Sequence, residues 1–503
     1  MTHICIRRRV RRHPVHIFSL AVCLASFSSV AHADEGAGVR FENSELSGQS
    51  GPLPEISRKR HSRTNSGISE EELQWAQSAW AYFSGGSKHI ARDEVLVTEQ
   101  PTKPVASNEA QPQTKVAMPM PAALVPARSD SVIATMWSAG DQVAAALIAE
   151  RLGLIDAREL DRRFSALLGF LNTMPLAFGQ MPNRYYDSVT GAMLGSDFQP
   201  GTAGWSAVDA GRLLLWLRIA ALQHPQFEGY IRNAVRRWNV CSVVSESGLL
   251  QSAVQEDGAQ RLSDETARGY DIYAVQGFRA WGLDTPSPVS TKTSAELSIF
   301  GAAFPLYEDR NARAPVLTTV PAYIGMELGL DVVGSEVSAG RDAKELLDTL
   351  HDVQARRFAA TGVLTARADY RRSTEPFTVI DSVISNGFPW STSDVAGSAH
   401  PRLALVSTRA VFGLWAFYES EYVEALRRSI VQLYDPALGW FEGRSETTGG
   451  YEITRSSTTN AFVLESIAYR NFGSLFPNAA WPDQLAPPIT DCRLPFSATS
   501  TGE

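Results

Sequence analysis

Apolar and polar positions along this chain recur with a helical period more often than an alternating one. Near the start, Leu73, Trp75, Ala76, Ala79, Trp80 and Phe83 repeat at steps that place them on one side of a helix. Ser69 and Glu72 stand just ahead with the spacing of a capping box, so a short helix is predicted there. The same signature returns further on. Ser138 with Asp141 opens a helix to Leu152, Asp156 with Glu159 one ending near Leu171, and Ser206 with Asp209 one built on the very apolar run Leu213–Leu222. Further helices are predicted over Phe227–Asn239, Thr266–Trp281, Ala295–Ala302, Pro315–Leu328, Asp342–Phe358, Leu403–Phe417, Glu421–Leu433 and Thr459–Tyr469, twelve in all. Short alternating runs lie between them. Gly362–Tyr370 is one, and Gly439–Ile453 reads as a hairpin with Gly449 and Gly450 in its turn.

Twelve helices in antiparallel pairs predict an all-α chain of six helical hairpins closed in a ring, the (α/α)6 toroid, with short β-hairpin insertions. The inner helices of such a ring are covered on every side and read as apolar almost all round, which is the character of Leu213–Leu222. An open helical solenoid is the alternative, but no fixed-period self-similarity runs along the chain.

The ends read differently from the middle. Arg7, Arg8, Arg9, Arg11 and Arg12 precede the apolar stretch Ile17–Val30, and Ala31-His32-Ala33 has the small-x-small form of a cleavage site. Residues 1–33 are therefore expected to be a signal peptide, which makes the protein periplasmic or secreted after cleavage near Ala33. The apolar stretch falls short of the roughly 20 residues that span a bilayer. Residues 34–67, rich in Gly, Ser, Glu and Arg, read as a disordered leader. Residues 68–84 form the first helix of the toroid. Residues 85–130, with Pro101, Pro104, Pro112, Pro119, Pro121 and Pro126, read as a flexible insertion. The toroid continues over 131–475, and 476–503 is a C-terminal tail.

Charge narrows the partners. The formal net charge is −8, and the expected signal peptide holds five arginines and no acidic residue, so the remainder is more acidic still. Such a chain does not attract phosphate backbones, which argues against nucleic acid. Cys241 and Cys492 remain after cleavage. In an oxidising compartment they pair or stay free, and the sequence leaves both readings open.

Much chemistry is missing. No Gly-rich phosphate loop or nucleophile elbow is present. His61, His89, His224, His351 and His400 are scattered, so neither a zinc site nor a Ser-His-Asp triad is predicted. No metal and no cofactor are expected. Carboxylates remain. Trp137, Trp205, Trp390 and Trp440 stand at loop-to-helix junctions among Asp187, Asp197, Asp209, Asp271, Asp381, Asn386, Glu442 and Glu446. Aromatic rings at the mouth of a helical ring suit the faces of sugars. Glycoside cleavage uses two carboxyl groups, one donating a proton and the other activating water or attacking the sugar. Asp209 has a second reading as a helix cap, and Glu442 one as a solvated hairpin residue. Trp216, Trp281 and Trp415 fall inside apolar helices and read as core.

Several blocks carry a resemblance. They are Ala76–Phe83, Thr135-Met136-Trp137, Pro182–Tyr186, Gly204–Leu213, Gly269–Ala274, Asn386-Gly387 with Pro389-Trp390, Ser407–Ala410, Gly439–Phe441, and Thr459-Asn460-Ala461 with Leu464-Glu465. Together they resemble the bacterial family called domain of unknown function 3131, itself similar to six-hairpin glycosidases and glucoamylase-like domains. The resemblance spans nearly all of residues 70–472 and implies a toroid with a carbohydrate ligand. The chain departs from the pattern at Ser138, where an acidic residue is expected, and in the length of its 85–130 insertion.

The expectation is a carbohydrate-active protein that hydrolyses an envelope or exopolysaccharide glycan. Asp209 and Glu442 are the expected reactive pair, with Tyr186, Trp205, Arg212, Asp271, Trp390 and Trp440 lining the site for a poly- or oligosaccharide. The alternative is a non-catalytic glycan-binding or scaffold component working with polysaccharide-export proteins. A lyase would need basic residues against a uronate, and scarce histidine and negative charge argue against it.

Overall fold

Among the described residues, six helices bury most of their length and five bury a single stripe, and this difference sorts them into two layers. The computed structural model describes residues 53–62, 67–85, 123–246, 248–265, 270–283, 293–307, 316–330, 343–385 and 387–476. The inner layer is α2 (Met136–Arg151), α4 (Ala207–Gln223), α6 (Asp271–Arg279), α7 (Thr319–Glu327), α9 (Thr408–Phe417) and α11 (Ser457–Phe472). The outer layer is α1 (Glu70–Ser84), α3 (Ala157–Thr173), α5 (Glu228–Arg236), α8 (Ala343–Thr361) and α10 (Glu421–Ile430). In α4 the buried set runs almost unbroken from Ala207 to Ala221. In α3 it is Leu160, Phe164, Leu167, Leu168 and Leu171, one face at helical spacing.

The inner helices close on one another. α2 packs on α4, α4 on α6, α6 on α7, α7 on α9, α9 on α11, and α11 returns to α2. α1 lies over that last seam against both α11 and α2. α3, α5, α8 and α10 back α2, α4, α7 and α9 respectively. This is the expected (α/α)6 ring with one substitution. Between α6 and α7, where Ala295–Ala302 reads as a helix, the structure has an antiparallel hairpin of Thr293–Ile299 with Ala302–Tyr307. The correction has a local cause: Phe300 and Gly301 at the turn take φ of 45° and 77°, outside the helical region.

Short sheets gather where the inner helices begin. Ile133–Ala134, just before α2, pairs with Tyr185–Asp187. Gly204–Trp205, before α4, pairs with Gln251–Glu256, which pairs in turn with Ala259–Asp264. Leu405–Ser407, before α9, pairs with Gly443–Ser445. The hairpin read over Gly439–Ile453 is shorter, Gly443–Ser445 against Tyr451–Glu452, with Gly449 in its turn.

Two stretches read as irregular belong partly to the body. In the leader, Lys59–Arg60 pairs with Tyr418–Glu419, Arg60 meets Asp348 at 2.6 Å and Arg58 meets Asp352 at 2.8 Å. In the insertion, Leu124 and Val125 are buried. Cys241 is disulfide-bonded. The signal peptide, the rest of the leader, most of the insertion, Asn386 and Cys492 lie outside the described residues. Among the described residues, no helix is long and apolar enough to cross a membrane.

Candidate functional site

The starts of the inner helices meet at one end of the ring, and caps hold them there. Thr135, Ser206 and Ser456 each accept a hydrogen bond from the backbone N–H three residues on, at Ser138, Asp209 and Thr459. Each satisfies one of the free donors of a helix start, worth about 1 kcal/mol. Ser138 completes a capping box, its Oγ accepting from Thr135 N at 2.9 Å. The position where an acid was expected is thus a buried cap, and the helix starts at Met136, one cap residue after Thr135, rather than at Ser138.

Inside this end stands an aromatic and ionic wall. The Trp137 ring lies 5.2 Å from that of Tyr270, 5.8 Å from Tyr273 and 5.9 Å from Tyr323. The Tyr270 hydroxyl donates to Asp369 at 2.7 Å and sits 2.8 Å from the Thr319 hydroxyl. Arg409 faces the same carboxylate at 3.3 Å. Asp141 accepts from Ser457 at 2.8 Å and from Thr458 at 3.0 Å.

Beneath lies Arg212, fully buried. Its guanidinium donates to Asp141 at 2.8 Å, Glu327 at 2.9 Å and Glu465 at 2.6 Å. Tyr273 donates to Glu327 at 2.7 Å and the Trp216 indole donates to it at 3.1 Å. The network ties together α2, α4, α6, α7 and α11. One guanidinium cannot neutralise three carboxylates. Burial pushes Glu465 well above the usual carboxylate range and also raises Glu327, against the pull of Arg212.

Carboxylates collect above this floor. Asp271 is the first residue of α6, and burial, with some help from the nearby Glu265 charge, pushes its carboxyl up to about 7. Glu265 itself covers the start of α4, accepting from Ser206 Oγ at 2.8 Å, Ala207 N at 2.6 Å and Val208 N at 3.2 Å. An anion at a helix N-terminus is favoured by the free N–H groups and the helix dipole. Asp209, partly exposed, is the third residue of α4. α4 crosses α6 closely just below: a Cβ on Gly211 would lie 2.7 Å from that of Ala274. Asp209 precedes Gly211 by two residues, and at 3.6 residues per turn that places it on the far side of α4 from the α6 contact, so the two acids stand in the first turns of adjacent helices without this crossing turning one toward the other.

Of the other residues expected in the site, Glu442 stands within this wall, near Arg409 and Asp369, and the rest lie elsewhere. Glu442 is fully buried, accepting from Ser456 and, at 2.8 Å, from Thr459. Burial raises its carboxyl, and Arg409 opposes that rise. Tyr186, Trp205 and Trp440 are core residues with no exposed ring face. Their polar atoms donate to the Pro175 carbonyl at 2.7 Å, the Gln251 carbonyl at 3.2 Å and the Trp75 carbonyl at 3.1 Å. Trp390 is half-buried with Arg357 4.5 Å from its ring centre. Asp381 is buried on Arg367, and Glu446 pairs with Arg357 and Arg367. Asp187 and Asp197 hold turns. The structure places Asp209 and Asp271 in the first turns of the neighbouring helices α4 and α6, with Arg212 one turn further along α4. It adds Asp141, Glu265, Tyr270, Tyr323, Asp369 and Arg409. Tyr270 and Arg409 sat within recognised blocks of sequence. Asp369 lies in a non-helical run with no local signal. Among the described residues, no group of three or more His, Cys, Asp or Glu side chains could hold a metal ion.

The family described as "Protein of unknown function (DUF3131)" matches residues 117–473, leaving out α1 although α1 closes the ring. No curated protein sequence matches the chain. Among solved structures, the chain is similar to an endo-β-1,2-glucanase from Chitinophaga pinensis in complex with sophorotriose and glucose. The TM-score is 0.56 at 10% identity, covering 83% of this chain and 96% of that one. It is also similar to a β-1,2-glucanase from Parabacteroides distasonis, with a TM-score of 0.51 at 11% identity over 83% of this chain and 59% of that one. Likeness at such identity concerns the fold.

Proposed function

Because the chain belongs to the DUF3131 family and gathers carboxylates at the mouth of an (α/α)6 ring, we propose that it hydrolyses a glycan by acid/base catalysis with two carboxyl groups. The observation that carries this reading is Asp271, a buried acid at the start of α6 whose carboxyl is pushed up to about 7, with Glu265 close enough to add to that rise while it caps the start of α4, the helix that carries Asp209. Such a carboxyl keeps a proton at a pH where an ordinary aspartate has lost it, which is what a general acid needs. Asp271 donates that proton to the leaving glycosidic oxygen. Asp209 activates water or attacks the sugar carbon on the other side. Glu442 holds the wall through Ser456 and Thr459 and does not react.

The substrate in this reading is an envelope or exopolysaccharide glycan, met in the periplasm or outside the cell after the signal peptide of residues 1–33 is removed. The names of the structural neighbours put β-1,2-glucan on the panel to be tried. A second reading is a non-catalytic glycan-binding component of an export assembly. The near-complete burial of Asp271 and the serine at position 138 favour it. A reducing-end assay of the mature protein on a panel of bacterial glucans and exopolysaccharides separates the two. Release that is lost in Asp271→Asn and Asp209→Asn supports hydrolysis. Binding without release from any substrate supports the second reading.

A further inference from the structure

Two hydrogen-bond donors near the centre of the ring have nothing to donate to. The indole nitrogen of Trp137 and the hydroxyl of Tyr323 are both enclosed, and neither has a partner. Leaving a buried donor unpaired costs about 1–3 kcal/mol, and folded proteins keep few of them. These two belong to one cluster. Tyr323 is fully buried, and its ring lies 5.9 Å from Trp137 and 5.2 Å from Tyr273. Arg409, whose Nε is also unpaired, reaches the Tyr270 hydroxyl at 3.5 Å. The donors come from the first two turns of α2, α7 and α9, at the same end of the ring as Asp209 and Asp271. Arg212 packs beneath them, 4.9 Å from the Trp137 ring and 4.6 Å from the Tyr323 ring.

We infer that Trp137 Nε1 and the Tyr323 hydroxyl are the innermost glycan-binding donors of the ring, and that the acceptor oxygens of one neutral sugar unit complete them. The inference rests on the reading that this mouth binds a glycan, and it names the class of sugar. Neutrality follows from charge. Both guanidiniums of this wall are already matched, Arg212 by Asp141, Glu327 and Glu465, and Arg409 by Asp369. A uronate would bring another carboxylate to a wall with no cation left for it. The hydroxyl and ring oxygens of a neutral sugar accept from an indole and a phenol without adding charge, and the Trp137 and Tyr270 rings suit its C–H face.

The test uses the mature protein carrying Asp271→Asn, so that ligand is not consumed, titrated calorimetrically with neutral gluco-oligosaccharides, β-1,2-linked ones included, and with oligouronides. Adding Tyr323→Phe deletes one oxygen. It should weaken neutral-sugar binding about 5-fold and leave the melting temperature of the free protein unchanged or slightly higher, because an unpaired donor has gone. Trp137→Phe should weaken binding at least as much. Unchanged affinity in both variants overturns the inference and leaves the hydrolysis reading standing. So does a lower melting temperature in Tyr323→Phe, which would mean that the hydroxyl already has a partner. Tighter binding of oligouronides overturns the neutral-sugar assignment. No binding here, with no cleavage by the unmutated protein, overturns the parent reading itself.

Discussion

Gly211 and Gly277 meet backbone to backbone where α4 crosses α6: a Cβ on Gly277 would lie 1.8 Å from the Gly211 carbonyl oxygen. No side chain can be accommodated there without driving the helices apart. Gly277→Ala should therefore lower stability by about 3 kcal/mol, the upper end of overpacking costs, read as a shift in the urea midpoint. Gly169, within α3, has open space around the same position. Gly169→Ala should stabilise by about 1 kcal/mol through helix propensity alone, so the pair of variants separates contact from backbone entropy.

The acid Asp271 sets a pH dependence with a definite sign. Its folded value of about 7 lies above the ordinary 3.8. Below the ordinary value both folded and unfolded chains hold the proton, and the group is neutral to stability. As pH rises from there to about 7 the unfolded chain releases the proton first, so stability falls across that window and levels off above it. Asp271→Asn mimics the protonated form. Its gain in melting temperature should be absent near pH 3 and greatest above pH 7. If Asp271 is the proton donor, kcat/KM of the unmutated protein falls as pH rises through about 7.

Removing Arg212 strands three buried carboxylates. Arg212→Met should cost about 3–5 kcal/mol, as breaking a buried ion pair does. The deficit should shrink at pH 5 relative to pH 8, because protonation of Glu327 and Glu465, both already raised by burial, then relieves the stranded charge. Glu465→Gln should be mild by comparison, since burial already holds that carboxyl far above its usual range. Chemical denaturation at the two pH values checks all of this, and an Arg212→Met deficit that ignores pH would contradict the charge account.

Glu442→Gln distinguishes a wall from a reactive group. Its carboxylate accepts from Ser456 and Thr459. Swapping one oxygen for an amide should cost about 1–2 kcal/mol of stability, with kcat nearly unchanged. Turnover that collapses at unchanged melting temperature would return Glu442 to the role first read from the sequence.

The ring was readable because covered helices leave an apolar signature and because Ser69, Asp156 and Ser206 announce their helices by capping. The hairpin at Thr293–Tyr307 was not, because a short apolar run fits a buried strand or a helix equally well. Site residues divided by the range of their contacts. Asp209 and Asp271 stand at helix starts, where a local pattern marks them. Trp205 and Trp440 stand at similar junctions, yet each follows a glycine of positive φ and sits wholly in the core, and sequence does not say which way such a ring faces. Asp369 owes its place to Tyr270 and Arg409, 99 and 40 residues away along the chain, and no local pattern carries that information.

The seam between α11 and α2, covered by α1, also fixes an order of events. A chain that emerges N-terminus first can assemble α2 through α10 while one flank of the ring is open, with the apolar side of α2 facing water. The wedge that fills that flank, Ala461, Phe462, Leu464 and Ile467, arrives last. Closure of the ring therefore needs nearly the whole length, and a chain stopped before α11 would leave that flank of α2 and α9 uncovered.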